Sequence, residues 1–120
     1  SISVKQPIGN LLLSNMARAG LTGFLKTLST ELAPFGITVN ALLPGTHKTS
    51  RIDQLAKFRA DQEKTSPEQI IKEMMSANPS QTIGDPSDFG AAAAFLASVQ
   101  ARYITGQNIL VDGGNYRGLL

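Results

Sequence analysis

Cysteine and tryptophan are absent from the 120-residue chain, and histidine occurs once. No disulfide, thiolate metal site or thiol nucleophile can therefore be built, and a single imidazole does not make a metal centre. Aromatic residues amount to 6%, and the basic residues are scattered from Lys5 to Arg117 around a net charge of only +2. That pattern lacks the basic and aromatic interleaving that grips nucleic acid. No apolar run approaches the roughly 20 residues that span a bilayer, so no membrane partner is expected. An initiator methionine, a basic leader and a cleavage site are missing too, which predicts a piece of a longer protein. The lack of cysteine fits a cytoplasmic one. What is present, 42% hydrophobic and 17% charged residues, fits a globular class with a core of moderate size.

Residues 14–44 organise the rest of the chain. Leu13, Met16, Ala17, Gly20, Leu21, Phe24, Leu25, Leu28 and Leu32 recur at spacings of three and four, which predicts an amphipathic helix beginning near Leu11. Pro34 and Gly36 end it near Ala33. The run ITVNALL at 37–43 is short, β-branched at its start and almost wholly apolar, as in a parallel strand covered on both faces. Two charged helices follow, over 52–64 and 67–77. The second has Ser66 as N-cap and Gln69 to complete a capping box. Their charge predicts a surface lid at about 46–82 rather than core. Asp85 caps a further helix over 86–97, with Asp88 near its positive end, and a last strand occupies 107–111. Two parallel strands do not complete a sheet, so the expectation is α/β: a single partial domain over 1–120 whose other strands lie upstream.

Three stretches, ARAGLTGFLKTLSTELAPFGITVNALLPG, IGDPSDFGAAAAFLAS and YITGQNILVDGG, stand in that order. Together they resemble the C-terminal half of a short-chain dehydrogenase/reductase, of the kind that includes 3-oxoacyl-carrier-protein reductases. The likeness covers nearly the whole chain. It implies the C-terminal part of a Rossmann-type, doubly wound parallel sheet, here with two parallel strands and about four helices. It also implies NAD or NADP as cofactor of the complete protein, and a small-molecule carbonyl or alcohol substrate. The glycine-rich phosphate turn, the acidic ribose-binding residue and the catalytic Asn would all precede Ser1. Gly113 and Gly114 follow the last strand and open no helix, so they are no substitute. The chain alone is therefore expected to be inactive and not to hold the cofactor tightly. The resemblance further implies a homo-oligomer, dimer or tetramer, built through the first helix, the helix at 86–97 and the last strand.

The family keeps Tyr-x-x-x-Lys where this chain has Ser14-x-x-x-Arg18. A spacing of four puts both side chains on one helical face, so position is kept while chemistry changes. The resemblance gives Arg18 the task of holding the nicotinamide ribose, and Ser14 contact with the substrate oxygen. An aliphatic hydroxyl ionises far less readily than a phenol, and Arg stays cationic, so acid–base duty does not carry over with position. Thirteen positions before Ser14 stands Ser1, matching the family serine that positions the substrate carbonyl; Ser3 is the alternative if the loop is shorter by two. Pro44-Gly45-Thr46-His47-Lys48-Thr49 matches the family's PGxxxT loop. There the Pro-Gly backbone, the backbone at 47 and the Thr hydroxyl meet the nicotinamide carboxamide or pyrophosphate.

Other readings stand beside these. Gly45 is expected to permit close approach of the cofactor, and Thr49 has a second reading as a plain helix cap. His47 is expected to be an exposed loop side chain rather than a replacement acid. Asn40 is expected to serve structure, and Tyr103 and Tyr116 lie too far along the chain to replace the missing Tyr. Arg51 is placed to meet an acidic group of a substrate, or else belongs to a solvated charged face. One competing function remains: a cofactor-binding or scaffolding protein that keeps the fold while the reaction has decayed.

Overall fold

The computed structural model describes residues 1–119. Helix α1 (Leu12–Leu32) leads through a 3-10 turn (Ala33–Phe35) to strand β1 (Ala41–Pro44); helices α2 (Ser50–Glu63), α3 (Pro67–Ala77) and α4 (Pro86–Leu96) precede strand β2 (Asn108–Val111). The strands pair in parallel, with Ala41 opposite Asn108 and Pro44 opposite Val111. This is the expected α/β arrangement, with two parallel strands and four helices.

Regular pairing begins at Ala41 rather than at 37, because side chains carry the pairing upstream. Asn40 donates from Nδ2 to the Ile104 carbonyl (2.7 Å) and accepts at Oδ1 from Gln107 N–H (3.1 Å). Val39 N–H donates to Thr105 Oγ1 (3.1 Å). Backbone groups that leave the ladder still need partners, and these side chains supply them. Asn40 therefore serves structure, as its place in the sequence indicated.

The expected cover on both faces of the sheet is not supplied by this chain. Within β1 only Leu43 is buried, and all of β2 is half-buried. Helix α1 meets the end of the sheet through polar groups, Lys26 Nζ donating to the Gly106 carbonyl (3.0 Å). Much of its apolar stripe faces outward, Leu13 being 73% and Phe24 60% exposed, while Leu25, Leu28 and Leu32 are half-buried. The expected core of moderate size is corrected accordingly. Among the described residues the buried apolar side chains are Leu43, Ala56, Ala60, Ile70 and Ala101. A radius of gyration of 16.6 Å exceeds the about 14 Å of a compact chain of this length.

Most of that small core lies where charge predicted none. Ala56 and Ala60, one turn apart on α2, pack on Ile70 of α3, with Ile71 and Met74 beside them. Small residues on α2 let the helices approach, and the charges occupy the outer faces. There Arg59 bridges Glu63 within α2 (2.9 Å) and Glu73 across on α3 (3.6 Å). Lys64 ends α2 in the left-handed region (φ 51°), its N–H donating to the Ala60 carbonyl. Ser66 caps α3 by accepting from Gln69 N–H (3.1 Å), but the reciprocal half of the expected capping box is missing. The Gln69 amide donates to Glu73 instead (3.2 Å).

The full capping box belongs to α4. Asp85 accepts from Ser87 N–H (2.8 Å) and Asp88 accepts from Asp85 N–H (3.2 Å), with Pro86 in the first turn. The Ser87 hydroxyl also donates to Asp85 (2.6 Å). These bonds, the side-chain one first, hold the Asp85 carboxyl below the ordinary aspartate value, and the nearby charges of Lys48 and His47 add to them.

Two outcomes follow. Replacing Ile70 with Ala removes the side chain at the centre of the α2–α3 pair and is expected to cost about 2–5 kcal/mol there. Amide exchange should quicken in both helices; unchanged protection in α2 would contradict this packing. The lowered pKa of Asp85 means that its stabilising effect is full above the unfolded-state pKa and is lost as pH falls through the lower folded-state pKa. The Ser87 amide resonance should therefore shift below the ordinary aspartate range, and Asp85→Asn, which keeps a capping oxygen, should abolish that shift while preserving α4.

Candidate functional site

Three elements converge at the carboxyl ends of the strands. The parallel register brings the exits of β1 and β2 together, and Gly45 N–H donates to the Val111 carbonyl (2.9 Å). A Cβ on Gly45 would lie 2.6 Å from Asp112 Cα, so any side chain here collides with backbone. The neighbouring strand exit thus requires glycine here. The loop then turns under α4. Gly84 N–H donates to the Thr46 carbonyl (3.0 Å) and Lys48 N–H to the Gly84 carbonyl (2.8 Å).

His47 sits inside this turn and is half-buried, not exposed as expected. Phe89 of α4 meets its ring edge to face, with centroids 5.5 Å apart and planes at 81°. A Cβ on Gly84 would come within 2.9 Å of the ring, so glycine there makes the room. Nδ1 lies 3.2 Å from the Gly45 carbonyl, and as donor it fixes the tautomer that leaves Nε2 as acceptor.

The predicted site residues gather around one open cleft of about 580 Å³. Helix α1 contributes Ser14 and Arg18, and the loop after β1 contributes Pro44, Gly45, His47 and Thr49. Ser1 lines the cleft and Ser3 does not. Ser3 is buried, and its hydroxyl has no hydrogen-bond partner. The α-amino group of Ser1 is held below its ordinary value, first by burial and then by the charge of Arg18.

Ser14 and Arg18 stand one turn apart and touch, Arg18 Nε donating to Ser14 Oγ (3.0 Å). The Ser14 hydroxyl thus accepts from a cation and keeps its own hydrogen free to donate outward. Thr49 occupies the N-cap position of α2 but makes no side-chain capping bond, so the plain-cap reading is not realised and its hydroxyl remains available to the cleft. Arg51 and Ile52 from α2, with Pro86 and Phe89 from α4, complete the wall. Sequence reasoning missed Ile52, Pro86 and Phe89, and also Leu11, which lines the cleft just ahead of α1. The cap at Asp85 located the start of α4, but only the pairing of His47 with Gly84 brings that start to the cleft.

Elsewhere, Tyr103 is fully exposed and away from the cleft. Tyr116 lies under the Lys5 ammonium, 5.6 Å from the ring centroid. Among the described residues no group of three or more His, Cys, Asp or Glu is placed to share a metal ion, and no helix is long and apolar enough to cross a membrane.

Known proteins share this framework. A family model described as enoyl-(acyl carrier protein) reductase matches residues 1–115. The chain is 36% identical over 115 residues to the NADPH-dependent reductase BacG of Bacillus subtilis, covering 96% of this chain and 44% of BacG. It is 45% identical over 98 residues to the 3-oxoacyl-[acyl-carrier-protein] reductase FabG of Rickettsia felis, covering 82% of this chain and 36% of that one. The crystal structure of L-sorbose reductase from Gluconobacter frateurii, complexed with NADPH and L-sorbose, superposes with a TM-score of 0.92 at 28% identity, over 99% of this chain and 46% of that one. The chain thus spans less than half the length of these relatives. The chain therefore belongs to the short-chain dehydrogenase/reductase family and is 3-oxoacyl-carrier-protein reductase-like.

Proposed function

We propose that this chain is the cofactor-facing part of an NAD(P)-dependent oxidoreductase acting on a carbonyl or alcohol substrate. The observation that carries this reading is the convergence of Ser1, Ser14, Arg18, the Pro44-Gly45 turn, His47 and Thr49 on one cleft. The donors present suit a nicotinamide nucleoside. Arg18 keeps guanidinium N–H groups for ribose hydroxyls, and the Thr49 hydroxyl and loop backbone offer what a carboxamide needs. When bound, a nicotinamide supplies or accepts the hydride. This chain's own residues bind and orient: Arg18 holds ribose, the 44–49 loop holds the carboxamide, and Ser14 and Ser1 donate to the substrate oxygen. A hydrogen bond from Ser14 polarises a carbonyl without giving up its proton, so the site offers electrostatic assistance where a tyrosine would offer acid–base exchange.

Several finer features accompany this reading. The α2–α3 pair is the substrate lid over 46–82, hinged where His47 meets Gly84. The outward apolar stripe of α1, and the exposed small residues of α4 beside β2, are the faces of a homo-oligomer, dimer or tetramer. The compartment is the cytoplasm, and neither nucleic acid nor membrane is a partner. The chain alone is inactive and binds the whole dinucleotide weakly.

One observation favours a second reading. Ser14 and Arg18 cannot exchange a proton as Tyr and Lys do, which fits a protein that keeps the cofactor while the reaction has decayed.

Two measurements test these readings. Reduced nicotinamide riboside, titrated into the isotope-labelled chain, should shift the amides of Gly45, Thr46 and Thr49 and the Arg18 Nε resonance. Thr49→Val and Arg18→Met should each weaken binding by about tenfold. Shifts confined to other surfaces would sink the cofactor reading. In the complete protein, Ser14→Tyr combined with Arg18→Lys should raise carbonyl reduction by about 10²–10⁴-fold if acid–base chemistry is the missing part. Measurable turnover before the change favours the enzyme; turnover only after it favours the decayed form.

A further inference from the structure

The cleft is one-sided in charge. Arg18 and Arg51 line it, and none of its lining residues is a carboxylate. Two acids beside the wall are committed elsewhere: Asp85 accepts from both the N–H and the hydroxyl of Ser87 to cap α4, and Asp112, against Gly45, accepts from the N–H groups of Gly114 and Tyr116. On the outer side of α2 the cation is matched, Arg59 being paired with Glu63 and Glu73. Arg18 gives its Nε to a neutral hydroxyl, and among the described residues neither Arg18 nor Arg51 has a carboxylate partner. The two guanidiniums also stand on different elements, Arg18 on α1 and Arg51 in the first turn of α2 beside Thr49.

Arg51 is the one without an assigned task. It neighbours Ile52, which with Leu11 and Phe89 makes the apolar part of the wall. A fork of N–H donors beside an apolar strip is the chemistry that takes an anionic oxygen group on a short carbon chain. The geometry points to a substrate that carries its own anionic oxygen group, a carboxylate or a phosphate, which Arg51 holds while the chain of the substrate lies against Ile52 and its reacting oxygen meets Ser14. This rests on the oxidoreductase reading and narrows its substrate class to oxo acids or phosphorylated ketones, with the corresponding alcohols. Arg51 is a specificity-determining residue in that scheme and takes no part in hydride or proton movement.

Acetoacetate, its uncharged methyl ester and inorganic pyrophosphate, titrated separately into the complete protein, whose phosphate-binding turn is expected upstream of Ser1, decide it. Acetoacetate should bind about tenfold or more tightly than the ester and should shift the Arg51 Nε and Ile52 amide resonances. Arg51→Gln should bring acid and ester to within about twofold, Arg51→Lys should keep part of the preference, and Arg59→Gln, which removes the same charge from the outer side of α2, should leave it intact. Pyrophosphate binding should survive Arg51→Gln. Equal binding of acid and ester to the unaltered protein overturns the proposal. So does an Arg51→Gln protein that loses pyrophosphate yet still prefers the acid, because Arg51 then serves the dinucleotide. The uncharged nicotinamide riboside reads the cofactor site separately: its failure to bind beside a retained acid preference counts against the cofactor reading alone, and the reverse outcome counts against this one alone.

Discussion

The close passage of the Gly45 backbone across Asp112 is the contact on which the arrangement depends. Two short parallel strands have few hydrogen bonds with which to fix a direction. A 2.6 Å allowance for a Cβ that is not there locks their exits together, and the loop leaving Gly45 has one way to go. That direction carries His47 under Gly84 and Phe89, brings the start of α4 to the cleft and sets Thr49 at the head of α2. A larger residue at position 45 would act on the site through the course of the loop, whatever it did to a ligand.

How much was legible in the sequence follows from the range of the forces involved. Caps are local, so Asp85-Pro86 and Ser66-Pro67 marked α4 and α3 at their first residues. The Ser14 and Arg18 contact was legible because a helix makes neighbours of residues four apart. Asn40 was read correctly as structural, although its substitution for ladder bonds, which delays β1 to Ala41, depends on Ile104 and Gln107 far along the chain. Long-range packing was the illegible part. His47 looked like a solvent-facing loop residue because nothing near it in sequence announces Phe89 or the space at Gly84. The core between α2 and α3 was hidden by composition, since two alanines and one isoleucine carry it beneath many charges.

On the proposed reading, the site combines a retained layout with altered chemistry. A hydroxyl held by a cation stands on α1, and their partnership is one of orientation. Arg18 is better suited than Lys to hold two oxygens at once and less suited to relay a proton. The resulting cleft is rich in fixed donors, which favours ligands that arrive with negative or polarised oxygen.

The α2–α3 pair leaves the framework and returns to it at nearly the same place, because residues 47 and 84 pair directly and Asn78 ties the return to the Asp112 carbonyl (2.9 Å). With its own small core, the pair behaves as a cassette plugged into a closed port. Lengthening or exchanging such a cassette changes the loop-closure entropy only logarithmically. The port leaves the strand register untouched. Evolution can therefore rewrite part of the cleft wall, Thr49, Arg51 and Ile52, by editing one contiguous stretch of gene, while the strand exits beneath it stay as they are.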